Sequence, residues 1–333
     1  MPPNRDDPGL SSRQRRQLLR AALLLPAAAA MAPLPGCSPS ERVDGSFLQP
    51  WREHLQWEMA DWQRSVSLMR RLGCRQLVLQ WTGIRGGDDG DWELPDTSLR
   101  MLFTAAGEAG MTVRVGLPFE QRWWQAIGAD DAALQSFFDD SLGYARQWLA
   151  RAPWPRLQAF GGWYLPHELE QYHWATPARQ QQLAQWLHGL QQAAAERGGD
   201  CAVSTYFSRL PTQGSLVALW ESLLAQASLR PMVQDGVGIA GMDNQQPLQP
   251  LLELFATTGT PFDIIVELFS QAPDPARDGG LHFQGESADF ERIRQQLQWA
   301  RGSGADHVLV YAADPWLSQD TPQARLLRRH WGI

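Results

Sequence analysis

An α/β fold built as one (β/α)8, or TIM, barrel is predicted from two features of the sequence. Short apolar runs of strand length alternate with longer amphipathic segments over residues 45–333. Eight strand–helix units can be distinguished, and their predicted strand ends lie about 30 to 50 residues apart, close to the length of one unit. The pattern therefore predicts a single domain in which a helix follows every strand.

The predicted strands are short runs rich in aliphatic and aromatic residues. Leu77-Val78-Leu79 lies at the centre of the second strand, and Ile264-Ile265-Val266 lies at the centre of the seventh. A long loop rich in Pro, Gly and Asp follows the seventh strand. The eight predicted strands cover residues 47–51, 76–81, 111–117, 157–165, 201–207, 232–237, 262–269 and 307–312.

The predicted helices carry apolar residues at steps of three and four, as at Leu55, Met59 and Trp62 in the first of them. Two helix starts are marked by a capping threonine followed by proline, Thr176-Pro177 and Thr321-Pro322. The predicted helices cover residues 55–72, 96–109, 130–151, 177–197, 214–228, 247–258 and 288–302, with a closing helix after Thr321.

Residues 1–36 are predicted to be an export signal. Arginines precede the apolar run Ala21–Leu34, which is too short to span a bilayer. Leu34-Pro35-Gly36-Cys37 resembles a lipoprotein cleavage box and Arg15-Arg16 a twin-arginine signal, whereas the alternative is a plain secretory peptide that happens to contain a cysteine. We expect lipidation at Cys37, a tether over residues 37–44, and a location in the cell envelope, at the outer membrane facing the periplasm.

The composition excludes several classes of protein. The formal net charge is −7, and because residues 1–36 hold five arginines and two aspartates, residues 37–333 carry about −10. This acidic balance argues against a nucleic-acid partner and against membrane contact other than the lipid anchor. All 29 Lys+Arg positions are arginine, so the chain lacks the lysine that Schiff-base aldolases, pyridoxal enzymes and Walker-type phosphate loops require.

No cofactor and no metal site is predicted. The seven histidines form neither a His-x-His nor a His-Glu-x-x-His pattern, which disfavours a metal-dependent barrel hydrolase. Cys74 and Cys201 both precede apolar runs, so we interpret them as buried packing residues and not as a disulfide. We expect a monomer.

Two glutamates at predicted strand ends are the candidate catalytic groups. Gly161-Gly162-Trp163-Tyr164-Leu165-Pro166-His167-Glu168 reads as a strand that opens into a loop, and Glu267 ends the seventh strand. The carboxyl ends of barrel strands are where catalytic groups lie, and two carboxylates in one cleft suit glycoside hydrolysis. The structural alternatives are that Glu168 caps a helix or pairs with an arginine, and that Glu267 is buried with a partner.

Further residues near the same edge are predicted to contact substrate. Tryptophans there suit the flat faces of sugar rings, although most tryptophans of the chain are expected to pack loops or core. His167 either tunes Glu168 or bonds a backbone carbonyl, and Asp235 either contacts substrate or holds a loop. The predicted substrate-binding residues are Trp51, Gln80, Trp81, Trp163, His167, Tyr206, Asp235 and Trp316.

Several of these runs together resemble an uncharacterised bacterial domain family that is grouped with the glycoside-hydrolase TIM barrels. They are Phe47-Leu48-Gln49-Pro50-Trp51, Leu77 to Thr82, Gly162 to Glu168, Gln234 to Gly238 and Val266 to Phe269. The resemblance, over about residues 45–318, implies a retaining enzyme with Glu168 as acid/base and Glu267 as nucleophile. His167 departs from the pattern, since the larger superfamily usually carries there an asparagine that bonds the sugar's 2-hydroxyl, and this predicts a different substrate or reaction.

Two functional hypotheses follow from the sequence. The first is an exported, lipid-anchored glycoside hydrolase or transglycosidase that acts on a polysaccharide or oligosaccharide by a retaining mechanism. The second is a non-catalytic carbohydrate-binding lipoprotein that keeps the barrel and its aromatic residues. They differ in whether Glu168 and Glu267 face one another across a single sugar, which for a retaining pair requires carboxyl groups about 5–5.5 Å apart.

Overall fold

A closed barrel of eight parallel strands forms the centre of the protein, in a computed structural model that describes residues 42–271 and 285–333. Each strand pairs with the next along the chain, and the last pairs with the first. This confirms the predicted single-domain (β/α)8 fold. Strands β1 to β8 comprise Gly45–Leu48, Gln76–Leu79, Thr112–Gly116, Phe160–Leu169, Cys201–Thr205, Leu229–Gln234, Asp263–Glu267 and His307–Ala312.

One long helix follows each strand and packs on the outside of the barrel. Helix α4 begins where Thr176 accepts a hydrogen bond from the Arg179 amide, and α8 begins where Thr321 accepts one from the Ala324 amide, as the two Thr-Pro pairs predict. Helices α1 to α8 comprise Met59–Leu72, Asp96–Glu108, Asp131–Arg151, Pro177–Ala195, Leu216–Leu224, Gln249–Thr258, Phe290–Gly302 and Pro322–Trp331.

Short elements lie in the loops at the carboxyl ends of the strands, except for Trp154–Arg156, which precedes the amino end of β4. Gly83–Arg85 pairs with Trp92–Glu93 and Phe119–Glu120, and Phe269–Gln271 pairs with Gly285–Ser287. The short helical segments are Arg52–Gln56, Trp123–Ile127, Trp154–Arg156, Val237–Ala240, Met242–Asn244, Gln246–Leu248 and Ala313–Trp316.

Strand β4 differs from its prediction, because it begins at Phe160 and runs on to Leu169. Trp163 to Leu165 pair in register with β5, but the register shifts before Leu169 pairs with Thr205. Pro166 lies in this bulged segment, where the proline's missing N–H removes no ladder bond. The bulge adds two residues to β4 relative to β5, so successive side chains keep alternating between the two faces of the strand. As a consequence His167 lies on the outer face of the barrel and Glu168 lies at its mouth.

Strand β1 ends earlier than predicted, whereas β8 covers the predicted residues 307–312. β1 ends at Leu48, and Trp51 precedes a 3-10 turn. Asp314 lies two residues past β8, within the short helical segment Ala313–Trp316, and its peptide bond to Pro315 is cis. The side chains of Trp51 and Asp314 therefore belong to loop segments and not to strands.

The two cysteines of the described barrel are buried free thiols, which confirms their interpretation as packing residues. Cys74 is 0% exposed and Cys201 is 1% exposed. Among residues 42–271 and 285–333, no helix is both long and apolar enough to cross a membrane. The predicted export signal, the cleavage box with Cys37, and most of the loop after β7 lie outside the described residues.

Candidate active site

The mouth of the barrel holds a hydrogen-bonded row of polar side chains that crosses β4, β5 and β6. Glu168 Oε1 accepts a hydrogen bond of 2.8 Å from the amide Nε2 of Gln234. The same Gln234 nitrogen lies 3.3 Å from Ser204 Oγ, which in turn lies 2.8 Å from the hydroxyl of Tyr164. This row fixes the Glu168 carboxylate at the carboxyl ends of the strands, where it remains partly exposed.

Glu267 ends β7 and is only 4% exposed. Its Oε2 accepts a hydrogen bond of 2.7 Å from the backbone N–H of Gly238. A Cβ atom at Gly238 would lie 2.6 Å from the Phe269 carbonyl oxygen and 2.8 Å from Glu267 Oε2. Only glycine therefore lets this turn approach the Glu267 carboxyl closely enough to bond it.

The two glutamates influence one another electrostatically. Burial raises the pKa of Glu168, and the hydrogen bond from Gln234 partly offsets the increase. Burial also raises the pKa of Glu267, and the negative charges of Asp235 and Glu168 raise it further. The structure therefore places the two predicted catalytic residues near the carboxyl ends of β4 and β7, close enough to interact electrostatically. Their predicted separation of about 5–5.5 Å stays a prediction.

Tyr311 and Gln80 complete the interior of the mouth. Tyr311 pairs directly with Glu267 across β7 and β8, so both side chains point to the same face of the sheet. Burial raises the pKa of Tyr311, as do the charges of Glu168 and Glu267, and a hydrogen bond with Gln80 opposes this. Gln80 is 6% exposed, and its Oε1 has no partner within the described part of the chain. This oxygen is buried, so its contact with a substrate stays a prediction.

Aromatic side chains flank the mouth at several strand ends. Trp51 is 45% exposed and meets Trp81 edge-on, with ring centroids 5.6 Å apart. Trp81 is 5% exposed and donates from Nε1 to the Pro50 carbonyl at 2.8 Å, so it mainly supports Trp51. Tyr206 is partly exposed after β5, and Trp316 is 8% exposed against Phe269. Their contact with substrate stays a prediction, and Trp51 offers the largest exposed face of these residues.

The structure places Trp163 away from the cleft, so the prediction that it stacks on a sugar is wrong. Its neighbour Tyr164 faces the barrel interior, and strand alternation turns Trp163 to the outer face. There it is 0% exposed, packs against Trp148 of α3, and donates from Nε1 to the Gly198 carbonyl at 2.8 Å. It is a core residue.

His167 is also outside the cleft, and its predicted contact with substrate is wrong. The imidazole is 5% exposed and lies among the rings of Phe119, Trp123 and Trp186, on the outer face of the barrel. Burial lowers its pKa to about 3, so it is neutral at physiological pH. In the sequence His167 stands next to the predicted acid/base, but alternation along β4 turns it toward α4.

Asp235 is 0% exposed, so the prediction that it contacts substrate is wrong as well. Its Oδ1 accepts hydrogen bonds from the backbone N–H groups of Val237 and Glu267, and its Oδ2 accepts one from Gln296 Nε2. Asp235 therefore holds a loop, which is the alternative that the sequence left open. The loop in question carries the Gly238 amide that binds Glu267.

Gln234 and Tyr311 are the site residues that sequence reasoning did not select. Gln234 lies within the predicted sixth strand, and the sequence assigns it no role. A usable signal existed for Tyr311: if the seventh and eighth strands are aligned by their apolar centres, Tyr311 falls opposite Glu267. Among the described residues no group of three or more His, Cys, Asp or Glu side chains is arranged to hold a metal ion.

We expect Trp163→Ala to destabilise the protein without a specific effect on carbohydrate binding. Truncating a fully buried tryptophan typically costs about 3–5 kcal/mol of unfolding free energy, because a cavity replaces its contacts. Trp51→Ala, at an exposed ring, should leave unfolding nearly unchanged and weaken binding instead. Urea unfolding and oligosaccharide titration of both variants separate the two effects. If Trp163→Ala kept normal stability but lost binding, Trp163 would have to contact the sugar.

Similar proteins agree with this architecture. The chain is 28% identical over 209 residues to the uncharacterized protein YbcH of Escherichia coli (strain K12), an alignment that covers 61% of this chain and 68% of that protein. Among solved structures, a candidate alpha-L-fucosidase from Bacteroides thetaiotaomicron VPI-5482 superposes with a TM-score of 0.62 at 16% identity, covering 88% of this chain and 96% of that one.

A second solved structure is the hyperthermostable endo-1,4-beta-D-mannanase from Thermotoga petrophila RKU-1, with a TM-score of 0.55 at 13% identity and coverage of 87% of this chain and 99% of that one. These likenesses show a barrel fold shared with glycoside hydrolases. The model of the family described as domain of unknown function DUF4434 matches residues 43–326. The chain therefore belongs to the DUF4434 family.

Proposed function

We propose that this protein is a glycoside hydrolase that acts on a polysaccharide outside the cytoplasm. The observation that carries the proposal is the delivery of Glu168 from β4 and Glu267 from β7 to one barrel mouth, where the charge of Glu168 raises the pKa of Glu267. Acid-assisted cleavage of a glycosidic bond requires two such carboxyl groups on one sugar. The barrel that this chain shares with a mannanase supports the same reaction class.

The positions of the two strands suggest the roles of the two glutamates. Glu168, on β4, donates a proton to the glycosidic oxygen as the leaving group departs. Glu267 attacks the anomeric carbon and forms a covalent glycosyl-enzyme. Glu168 then takes a proton from water, and the hydroxide attacks the same carbon and releases the sugar with retained configuration. Transfer to a sugar hydroxyl in place of water would give a transglycosidase.

In the resting site the proton lies on a different glutamate from the one that must carry it in the reaction. Burial and two negative neighbours favour a neutral Glu267, while Gln234 donates to a charged Glu168. The reactive form instead carries the proton on Glu168. Because the charges repel, ionisation of Glu267 raises the pKa of Glu168, so a single proton shared by the pair reaches the reactive arrangement. Activity then falls at low pH, where both groups are protonated, and at high pH, where both are ionised.

A non-catalytic carbohydrate-binding protein is the second candidate. The observation that favours it is the near-complete burial of Glu267, because a nucleophile must reach the anomeric carbon. Under this function Trp51, Tyr206 and Gln80 would bind the sugar and Glu267 would remain a neutral structural group.

The two candidates are separated by incubating the purified protein with a panel of polysaccharides and measuring new reducing ends and binding in parallel. The proposed function predicts release of reducing ends from at least one polysaccharide, and no release by the Glu168→Gln, Glu267→Gln double variant. Binding without release by the wild-type protein would support the second candidate and overturn the first.

We also propose export and lipid anchoring through Cys37, on the basis of the cleavage box and the arginine-rich start of the chain. Cys37→Ala is expected to move the protein from the membrane fraction to the soluble fraction of the cell envelope, because the acyl chains attach to this sulfur. Fractionation with immunodetection measures this, and Cys74→Ala is the matched cysteine control. Membrane association that persists in Cys37→Ala would contradict the proposal.

A further inference from the structure

Asp235 is a second buried carboxylate that contacts the Glu267 main chain. It follows β6 directly, and its Oδ1 lies 3.3 Å from the Glu267 backbone nitrogen and 3.2 Å from that of Val237. Its Oδ2 accepts a hydrogen bond of 2.6 Å from Gln296 on α7. One carboxylate therefore ties the end of β7 to the end of β6 and to an outer helix.

The turn that Asp235 stabilises is the one that binds the Glu267 side chain. Asn244 donates from Nδ2 to the Asp235 carbonyl at 3.0 Å, which closes the segment over residues 235–244. Gly236 has φ of 65°, and a Cβ there would lie 2.3 Å from Asn244 Nδ2. The Gly238 N–H of this turn then reaches Glu267 Oε2 at 2.7 Å. The side chain of Asp235 and the amide of Gly238 thus hold Glu267 from opposite ends.

The charges that face Glu267 come from four elements. Glu168 on β4 and Asp235 after β6 carry negative charge, and the Tyr311 hydroxyl on β8 is neutral because burial raises its pKa. Arg292 on α7 is the opposing cation. Its guanidinium is bonded to the Glu267 and Phe269 carbonyl oxygens at 3.0 and 2.6 Å and to Ser270 Oγ, and not to the Glu267 carboxyl. In the described residues the negative charges therefore dominate at this carboxyl.

We propose that Asp235 is a positioning residue for Glu267: it fixes the Glu267 carboxyl through the 235–244 turn and, as a buried negative charge, delays ionisation of that carboxyl. Three donors favour the charged form of Asp235, whereas Glu267 has one. Of the two carboxyl groups of Asp235 and Glu267, Glu267 therefore keeps its proton and Asp235 is ionised. Only the kinetic consequence of this proposal rests on the proposed function as a glycoside hydrolase.

The test replaces Asp235 with neutral residues of similar hydrogen-bonding capacity. In Asp235→Asn, Oδ1 still accepts from Val237 and Glu267, and the Gln296 amide can turn its Oε1, which lacks a partner in the described residues, toward the new NH2 group. In Asp235→Ser, one acceptor remains and the charge is absent. Both changes remove a like charge, so we expect the ionisation midpoint of Glu267 to fall by about one pH unit or more.

Infrared difference spectroscopy of the protein without substrate follows the protonated Glu267 carboxyl as pH rises, and Glu267→Gln identifies its band. Asp263→Asn is the control, because Asp263 is a buried carboxylate at the other end of β7 that pairs with Arg230 and His307. A lower midpoint in both Asp235 variants but not in Asp263→Asn supports the proposal. An unchanged or higher midpoint, or an equal shift in Asp263→Asn, overturns it.

The kinetic consequence is measured separately on an accepted polysaccharide. The alkaline limb of the kcat/KM profile should shift to lower pH by the same amount as the infrared midpoint, because Glu267 carries the single proton of the resting pair and its loss leaves both glutamates ionised. A shifted infrared midpoint in a protein that cleaves no glycoside would leave the positioning role intact and reject the proposed function. An infrared midpoint that does not move would reject the positioning role whatever the activity.

Discussion

Glu267→Ala is expected to lower turnover on an accepted polysaccharide by about a thousandfold or more, because no covalent intermediate can form without the nucleophile. Removal of this buried side chain leaves a cavity and the Gly238 N–H without its acceptor, so the rate is measured on protein whose circular dichroism matches the wild type. Initial rates of reducing-end release measure the loss. Glu253→Gln, at an exposed position on α6, is the control and should keep the wild-type rate. A Glu267→Ala variant with wild-type turnover would exclude a nucleophilic role.

Adding azide to Glu267→Ala tests the nucleophilic role of Glu267 more specifically. The small anion can occupy the space of the missing carboxyl and attack the anomeric carbon from that face. The expected product is a glycosyl azide of inverted configuration, formed from a substrate with a good leaving group. A retained product from this variant would assign the nucleophile to the other carboxylate.

Glu168→Ala is expected to lower turnover on polysaccharides by about a hundredfold to ten-thousandfold, the usual contribution of a general acid. The loss should be much smaller for glycosides with activated leaving groups, which depart without a proton. With such a substrate the covalent intermediate still forms on Glu267, and azide then gives a product of retained configuration. Comparing polysaccharide and activated glycoside rates in this variant measures the effect. Equal losses on both substrates would show that Glu168 is not the acid.

The fold could be predicted because its signals are local. Helix starts such as Thr176-Pro177 and apolar strand centres such as Ile264-Ile265-Val266 specify each unit from neighbouring residues alone. Because strands and helices alternate, the eight strands run parallel, and a closed barrel is the simple way to arrange them. The same local reasoning found Glu168 and Glu267, because both stand where an apolar run ends.

The errors in the site arose where the direction of a side chain depends on pairing with another strand. Trp163 and His167 belong to the same strand as Glu168, but alternation along β4 directs Tyr164 and Glu168 to the mouth and leaves the other two outside. Whether that alternation continues past Pro166 depends on how β4 pairs with β5, and the bulge there adds two residues and so preserves it.

Gln234 and Tyr311 were missed for a related reason. Each becomes part of the site through a partner on another strand, since Gln234 bonds Glu168 and Tyr311 pairs with Glu267. Asp235 was selected, but its burial against α7 turns a predicted contact with substrate into a support for Glu267. Residues whose roles depend on such contacts distant in sequence require the structure.

The central claim is that Glu168 and Glu267 act on one sugar, with Glu267 as the nucleophile. The most direct measurement traps the covalent intermediate with an activated 2-deoxy-2-fluoro glycoside of the accepted sugar and locates it by peptide mass spectrometry. We expect one sugar on the peptide that contains Glu267 and none in Glu267→Ala. Hydrolysis of the polysaccharide without any adduct, or an adduct on the peptide that contains Glu168, would contradict the account.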